Sequence, residues 1–304
     1  MRVFQKIYNV VSLVPKGRVI TYKQVAELTN TNNPRVVGFA MHSNKDTKLI
    51  PCHRVVGITG KLTGYARGGI LIKKEILKKE GVYFLDNETV DLNKNLYKPT
   101  KTLLVYFHLL FKFDYPGKWP WYDNDKPHTM DEIVIGSILT QHTNWNNVQR
   151  SIENLRKEKA NNINSIYKLA LKDIEKLKRL IKPSGLYNQK AERLFAFSKF
   201  VISNHKSLQH LSKLQTDKIR NKLLSIKGVG KETADTILLY AFNKPIFIID
   251  NYTKRFIDKH NLTVKKEYDE LQNFFMKNLP ANTEVYQNYH ALIVQWGKKI
   301  SLPL

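Results

Sequence analysis

Leu223-Leu224-Ser225-Ile226-Lys227-Gly228-Val229-Gly230-Lys231-Glu232-Thr233-Ala234 is the stretch that decides how the larger part of this chain folds. An apolar helix end runs into Gly-Val-Gly, and a new helix starts at once. Two glycines flanking one residue allow a tight hairpin that leaves backbone N–H groups exposed at the start of the second helix. Such a hairpin binds a phosphate without reading bases. Gly-x-Gly alone fits an ordinary helix–helix turn equally well, so the context has to separate the two. One helix later comes Ile246-Phe247-Ile248-Ile249-Asp250, with Thr253-Lys254-Arg255 behind it. Taken alone, Asp250 reads as the cap of the following helix.

Around this stretch, residues 101–304 read as nearly all helix. Apolar periodicity recurs in Met130–Thr140, Val148–Leu155, Ile166–Leu180, Lys190–Ser203 and Thr233–Ala241, and the joints are polar or contain Gly and Pro. An all-α domain of several short helices is expected. Before it, residues 87–100 are polar, aperiodic and carry Pro99, and read as a linker. Residues 1–86 read as a smaller, mainly helical domain. Phe4, Ile7, Val10 and Val11 keep helical spacing, and Val19–Tyr22 is a short strand. Thr21 can cap a helix over Lys23–Leu28, and Asn33 another that begins at Pro34 and runs to about Ser43. Two short helices joined by a turn suggest a helix-turn-helix whose second helix carries Arg35. Gly57–Gly69 follows as a wing, and Leu71–Glu80 as a helix stopped by Gly81. The expectation is a mainly α, two-domain chain, winged-helix-like in front and all-α behind.

Composition narrows the function. Lys plus Arg is 50 and Asp plus Glu is 26 in 304 residues, a formal charge of +24. Residues 1–86 carry 15 basic against 5 acidic side chains and residues 87–304 carry 35 against 21, so both parts are basic. A polyanionic partner, most often nucleic acid, is implied. The longest apolar stretch, Leu103–Phe113, contains His108 and Lys112 and is too short to span a membrane. A single cysteine leaves no intrachain disulfide, multi-cysteine zinc site or iron–sulfur cluster. A reducing cytosol fits. His42, His108, His128, His142, His205, His210, His260 and His290 show no metal-ligand spacing.

That cysteine stands in Ile50-Pro51-Cys52-His53-Arg54-Val55. A lone cysteine is commonly an apolar filler. Here the adjacent His53 and Arg54 make a basic field that favours the thiolate. Adjacency alone does not bring His53 onto Cys52; an intervening water would.

From Val14 to Gly81 the chain resembles O6-alkylguanine-DNA alkyltransferases and their alkyltransferase-like relatives. The resemblance rests on Val14-Pro15-Lys16-Gly17, Thr21-Tyr22, Arg35-Val36-Val37-Gly38, Asn44, Pro51-Cys52-His53-Arg54-Val55, Gly64-Tyr65 and Lys79-Glu80-Gly81. It implies that Cys52 accepts the alkyl group and that His53 and Glu80 belong to a Glu–His–water–Cys network. It further implies that Arg35 fills the gap left by a flipped base and that Tyr22 bonds the departing guanine. Asn44 would brace the active-site turn, and Tyr65 would line the lesion pocket. Displacement at an alkyl carbon needs a soft nucleophile, which a thiolate is, and the lesion must leave the duplex to meet it. The family's usual N-terminal subdomain has no counterpart in the sequence. Alkyltransferase-like proteins are also this short but lack the cysteine, so Cys52 favours a real acceptor.

Residues 101–304 resemble the endonuclease III superfamily of helix–hairpin–helix base-excision glycosylases. The supports are Ile138-Leu139-Thr140-Gln141-His142-Thr143-Asn144-Trp145, Ser184-Gly185-Leu186-Tyr187-Asn188-Gln189-Lys190-Ala191, the hairpin, and Ile249-Asp250-Asn251-Tyr252-Thr253-Lys254-Arg255. The resemblance places the catalytic carboxylate on Asp250, the gap-filling glutamine on Gln141, and phosphate binding on Gly228, Gly230 and Lys231. It also allows a monovalent cation at the hairpin carbonyls, with no other cofactor required. Bifunctional members carry a Schiff-base lysine where this chain has Glu232. Lys231, one residue earlier, is turned away by about 100°, so no lyase is expected. The cluster cysteines are absent too. Both features fit the 3-methyladenine glycosylase III type. A cationic alkylated base suits an aromatic pocket, with Trp145 as candidate; Trp119, Trp121 and Tyr122 read as core. Tyr187 and Lys190 read either as phosphate contacts or as a cap and a solvated lysine.

The combined expectation is a monomeric DNA alkylation-repair protein acting on double-stranded DNA that carries alkylated bases. It would be a one-shot methyltransferase joined to a monofunctional glycosylase. A non-enzymatic lesion sensor, or a glycosylase for oxidised pyrimidines or mismatched thymine, are the alternatives.

Overall fold

The computed structural model describes residues 1–116, 121–123 and 126–300, with the backbone alone at 122, 123, 126, 127 and 300. It divides into two compact units, Met1–Tyr115 with Asn278–Pro280, and Pro116–Lys277 with Ala281–Leu304.

The first unit runs α1 (Val3–Ser12), β1 (Ile20–Thr21), α2 (Tyr22–Leu28), α3 (Pro34–Ser43), a 3₁₀ turn (Cys52–Arg54), β2 (Val55–Val56), α4 (Gly69–Lys79), α5 (Leu92–Asn95) and α6 (Lys101–Phe113). Thr21 caps α2 in a reciprocal box with Gln24. Asn33 caps α3, with Pro34 at its first position. These are the two helices of the expected helix-turn-helix. β1 and β2 pair in parallel, Ile20 opposite Val55, and this pairing holds the 3₁₀ turn against the start of α2.

Residues 87–100 are not a linker. Val90 is buried in a core with Val19, Val56, Leu62, Leu77 and Val82. The backbone pairs Leu62 N–H with Glu88 O (2.7 Å), Val90 N–H with Gly60 O (3.0 Å) and Tyr97 N–H with Val19 O (2.7 Å). The polar residues that suggested a linker are its turn formers. Asp86 accepts from Glu88 and Thr89 N–H, and Asp91 caps α5. α6 also belongs to this unit. Lys6 Nζ lies 5.3 Å from the Phe111 ring, Tyr115 Oη donates to Asn9 (2.8 Å), and the amino terminus pairs with Asp114 (2.9 Å). The boundary therefore falls after Tyr115, not after Thr100.

The second unit opens with β3 (Tyr122–Asp123) and β4 (Lys126–Pro127). Helices follow: α7 (Met130–Leu139), α8 (Trp145–Lys157), α9 (Ile163–Lys172), α10 (Ile174–Ile181), a 3₁₀ turn (Lys182–Ser184), α11 (Tyr187–His205), α12 (Leu208–Ser212), α13 (Thr216–Leu224) and α14 (Lys231–Thr236). A π turn (Ile237–Ala241), α15 (Asn251–His260), α16 (Tyr268–Asn278) and α17 (Thr283–Ile300) complete it. The single helix expected over Ile166–Leu180 is two, because Asp173 leaves helical geometry (φ −156°) and caps α10 with its own side chain. Thr233–Ala241 is α-helical only to Thr236 before widening into the π turn. Among the described residues no helix is long and apolar enough to cross a membrane.

Candidate functional sites

In the first unit the site is built on the turn after α3. Buried Asn44 donates to Ile50 O (2.9 Å) and accepts from Asp46 N–H (3.0 Å), which fixes the loop leading to Pro51. Cys52 follows, buried at the foot of a cleft of about 740 Å³. Tyr22, Arg35, Met41, His42, Ile58 and Tyr65 help line that cleft. Behind the cysteine, His53 Nε2 lies 3.0 Å from Glu80 Oε1, and Arg54 makes a two-pronged contact with the same carboxylate (2.7 and 2.9 Å) while donating to Val14 O (2.7 Å). Burial tends to raise the Glu80 carboxyl, but the bonds from Arg54 and His53 win and hold it below the usual range. Burial pushes His53 down, and Arg54 and Lys73 add to that against the pull of Glu80. His53 is thus neutral at pH 7 and able to take a proton. Arg35 is exposed at the start of α3, its backbone N–H donating to Asn33 Oδ1 (3.0 Å). Tyr22 Oη accepts from Thr63 (3.1 Å). The structure thus gathers Cys52, Tyr22, Arg35 and Tyr65 on one cleft and stacks His53, Glu80 and Asn44 behind it.

Sequence reading missed Lys73. It is fully buried, donates to Val55 O (2.6 Å), lies 5.9 Å from the Tyr22 ring centre, and is pushed down to about 8 by burial, against the Cys52 charge. A signal was present: Ile70, Lys73 and Leu77 share one face of α4, so a lysine stands where the periodicity calls for an apolar residue.

In the second unit a pocket of about 220 Å³ opens between α7, α8, α14, the π turn and α17. Asp250 caps α15, its Oδ1 accepting from Thr253 N–H (2.7 Å), and its side chain lines the pocket. The cap and the candidate carboxylate are one residue. Burial works to raise Asp250, but His290 first and Thr253 after it hold it below the usual carboxylate range. Glu232 lies at the pocket rim. Desolvation by the wall, then the Asp250 charge, push its carboxyl up. Lys231 faces elsewhere, pairing with Asp269 (2.7 Å) on the surface. Among the lysines, Lys298 on α17 does line the pocket.

Trp145 and Trp121 form an aromatic wall, edge to face with centres 5.0 Å apart, and Tyr240 lies 5.8 Å from Trp121. Trp121, expected to be plain core, is buried and lines the pocket as well. Gly136 makes room for it: a Cβ there would come within 2.8 Å of the indole. Trp119 lies outside the described residues, and so does the side chain of Tyr122.

Gln141 is tied to the hairpin, donating to Gly228 O (3.2 Å) and Thr233 Oγ1 (3.0 Å) and accepting from Arg193. To enter a gap in DNA it must leave these partners. Gly228 has φ +89°, and a Cβ there would run into Arg193, so both conformation and neighbour demand glycine. Gly230 begins α14 with open space beside it. Lys190 is neither a phosphate contact nor solvated. It is wholly buried, donates to Leu139 O (2.8 Å) and Ser184 O (2.6 Å), and burial pushes it down to about 8. Tyr187 begins α11. Among the described residues no group of His, Cys, Asp and Glu could hold a metal ion. His290, Tyr240, Tyr252 and Arg193 were not singled out from sequence. Tyr252 follows Asp250 at the start of α15, and the other three are brought in by helices distant in the chain.

Residues 2–82 match the DNA-binding domain of 6-O-methylguanine DNA methyltransferases, and residues 135–281 match the HhH-GPD superfamily of base-excision DNA repair proteins. A protein of Methanocaldococcus jannaschii named as a DNA repair glycosylase is 42% identical over 205 residues, 66% of this chain and 90% of its own length. A methylated-DNA–protein-cysteine methyltransferase of Candida albicans is 44% identical over 78 residues, 26% of this chain; the chain spans 43% of that protein. The crystal structure of an H. pylori 3-methyladenine DNA glycosylase bound to 1,N6-ethenoadenine is similar with a TM-score of 0.54 and 31% identity, covering 66% of this chain and 96% of that one.

Proposed function

Because the chain belongs to the HhH-GPD superfamily of base-excision DNA repair proteins and carries a methylguanine-methyltransferase DNA-binding domain ahead of it, we propose that it repairs two kinds of alkylation damage in double-stranded DNA. One alkylating agent produces O-alkyl and N-alkyl lesions together, and the two units answer one each.

In the first unit, neutral His53, oriented by Glu80, draws the proton from Cys52, directly or through a water. The thiolate attacks the alkyl carbon of a flipped O6-alkylguanine. The carbon–oxygen bond breaks, its electron pair stays on the guanine oxygen, and Tyr22 hydrogen-bonds the departing base. The thioether is stable, so each molecule reacts once. Exposed Arg35 offsets the lost stacking.

In the second unit, ionised Asp250 faces the sugar as the bond to an alkylated purine breaks and positive charge develops there. Water then adds to the sugar carbon, leaving an abasic site. A base such as 3-methyladenine is already cationic, so it departs with little acid assistance and suits the wall of Trp121, Trp145 and Tyr240. The H. pylori relative, solved with a modified adenine, supports this substrate class. Glu232 in place of a Schiff-base lysine, with Lys231 paired to Asp269, supports excision without strand cleavage.

A monovalent cation at the carbonyls of the Gly228–Gly230 hairpin is part of this reading. Such an ion would add positive charge beside a DNA phosphate. The protein is expected to act as a monomer.

The observation that carries the reading is the pocket in which Asp250, held ionised, faces an aromatic wall. The test is a panel of labelled duplexes holding 3-methyladenine or a stable analogue, 1,N6-ethenoadenine, an oxidised pyrimidine or mismatched thymine, read before and after hot alkali. Alkali-dependent cleavage at the alkylated purines is expected, with borohydride trapping no covalent complex. Strong trapping would replace the monofunctional reading with a Schiff base on a pocket lysine, Lys298 first. Cleavage at the pyrimidines alone would replace the substrate.

A further inference from the structure

His290 sits on α17, 40 residues beyond Asp250, and is almost wholly buried. Its ring touches the pocket from both nitrogens. Nε2 lies 3.4 Å from Asp250 Oδ2, and Nδ1 lies 2.9 Å from Tyr240 Oη. Tyr240 reaches that place from the π turn. Such widened turns are rare and concentrate at functional sites.

The chemistry of the tyrosine decides which nitrogen holds the proton. Burial, with the Asp250 charge behind it, pushes the phenol up, so it stays protonated. Its other polar neighbour, Gln287 O, is 3.4 Å away, so Nδ1 is the better acceptor. With the phenol donating to Nδ1, the imidazole proton belongs on Nε2, the nitrogen that faces Asp250. At 3.4 Å this contact is an ion-pair distance with no completed hydrogen bond, and among the described residues Nε2 has no hydrogen-bond partner. Catalytic contacts of this kind often tighten only once substrate is bound.

We propose that His290 is a positioning residue for base excision: held in the Nε2–H form by Tyr240, it aims that N–H at Asp250 and keeps the carboxylate ionised and facing the sugar. The proposal rests on Asp250 being the excision carboxylate. The fold gives that carboxylate good reason to need help. Thr253 supports it through its N–H at Oδ1 and its hydroxyl, but burial favours the neutral acid and Glu232 adds a like charge from α14. The other groups facing this cluster are the Tyr240 and Tyr252 phenols and the ammonium of Lys298 from α17, which lines the same pocket. Lys254, on the exposed side of α15, acts on Glu232. His290 points a ring nitrogen at Asp250 Oδ2.

Two measurements on the full chain test this. In ¹⁵N-histidine-labelled protein, with the His290 signals identified by their loss in His290→Gln, the wild type should show a protonated Nε2 and an unprotonated acceptor Nδ1. Tyr240→Phe should mix the two tautomers. A wild type carrying Nδ1–H overturns the proposal whatever its activity. Single-turnover excision across pH is the second. His290→Leu, with tryptophan fluorescence confirming the fold, should lose roughly 10²-fold in rate at pH 7 with lesion affinity unchanged. Its acid limb should move up toward the usual carboxylate range. His290→Gln, which keeps a donor, should recover part of the rate. If wild type excises and His290→Leu matches it in rate and acid limb, the proposal fails while the glycosylase reading stands. If wild type shows the Nε2–H form yet excises no base from any duplex, the glycosylase reading falls and takes the proposal with it.

Discussion

Glu132 offers a perturbation whose size follows from the structure. It caps the start of α7, the helix whose far end delivers Ser137, Thr140 and Gln141 to the pocket. Its carboxylate is buried and bonded to Arg156 (2.6 and 3.0 Å), Asn161 (2.9 Å) and the Thr129 N–H (3.0 Å). Burial alone would raise it, but Arg156 and then Asn161 bring it down from 4.5 to about 2. A carboxylate lowered in the folded state adds stability that is complete above its unfolded value and is lost as pH falls through the folded one. The window is therefore pH 4.5 down to about 2, and the full contribution at pH 7 is roughly 3 kcal/mol. Glu132→Gln should lose about that much at pH 7, a fall in urea midpoint of roughly 1.5 M for a slope of about 2 kcal/mol/M. At pH 3 the gap between the two proteins should shrink to about 1 kcal/mol. The assay is built in: no tryptophan falls within residues 1–115, and Trp121, Trp145 and Trp296 lie in the second unit, so tryptophan fluorescence follows that unit. An unchanged midpoint at pH 7, or a gap as wide at pH 3 as at pH 7, would refute the reasoning.

Glu80→Gln strips the shared carboxylate from His53 and Arg54, and alkyl transfer, followed by loss of labelled methyl from duplex DNA, should slow by roughly 10²-fold or more; a near-normal rate would remove Glu80 from the relay. Arg35→Ala should slow transfer from duplex DNA far more than reaction with free O6-methylguanine base, since the arginine offsets an unstacking cost of roughly a few kcal/mol only when a base is flipped. Equal slowing on both substrates would contradict that role. Lys190→Met leaves the Leu139 and Ser184 carbonyls without their donor and should destabilise the second unit by roughly 2–5 kcal/mol. Its DNA binding should keep the wild-type salt dependence, whereas a slope lower by about 0.9 would restore the phosphate contact.

What could be read from the chain was local. Thr21 and Asn33 announce their helices, Pro51-Cys52-His53-Arg54 its turn, and Gly228-Val229-Gly230 its hairpin, because each depends on neighbours within a few residues. The helix-phase argument that turns Lys231 away and leaves Glu232 facing the pocket is local too. Composition misled at residues 87–100, where Asp91 caps a helix and Asn95 bridges Tyr83 and Gly17 in a segment whose few apolar residues complete a core. Lys190 misled for the opposite reason: a charged residue is read as solvated, and only the converging carbonyls of Leu139 and Ser184 explain its burial. His290 and Tyr240 had no local signal. Their meeting requires a π turn and the docking of α17, neither of which leaves a pattern in nearby residues.

The central claim is that one chain joins alkyl transfer at Cys52 to base excision at Asp250, and the transfer half is tested most directly by mass. After incubation with a duplex carrying O6-methylguanine, the peptide containing Cys52 should gain one methyl group, up to one per protein molecule and no further. Cys52→Ala should gain none while still excising alkylated purines. A wild-type peptide that binds the lesion duplex and gains no mass would contradict the account and leave the first unit a lesion sensor.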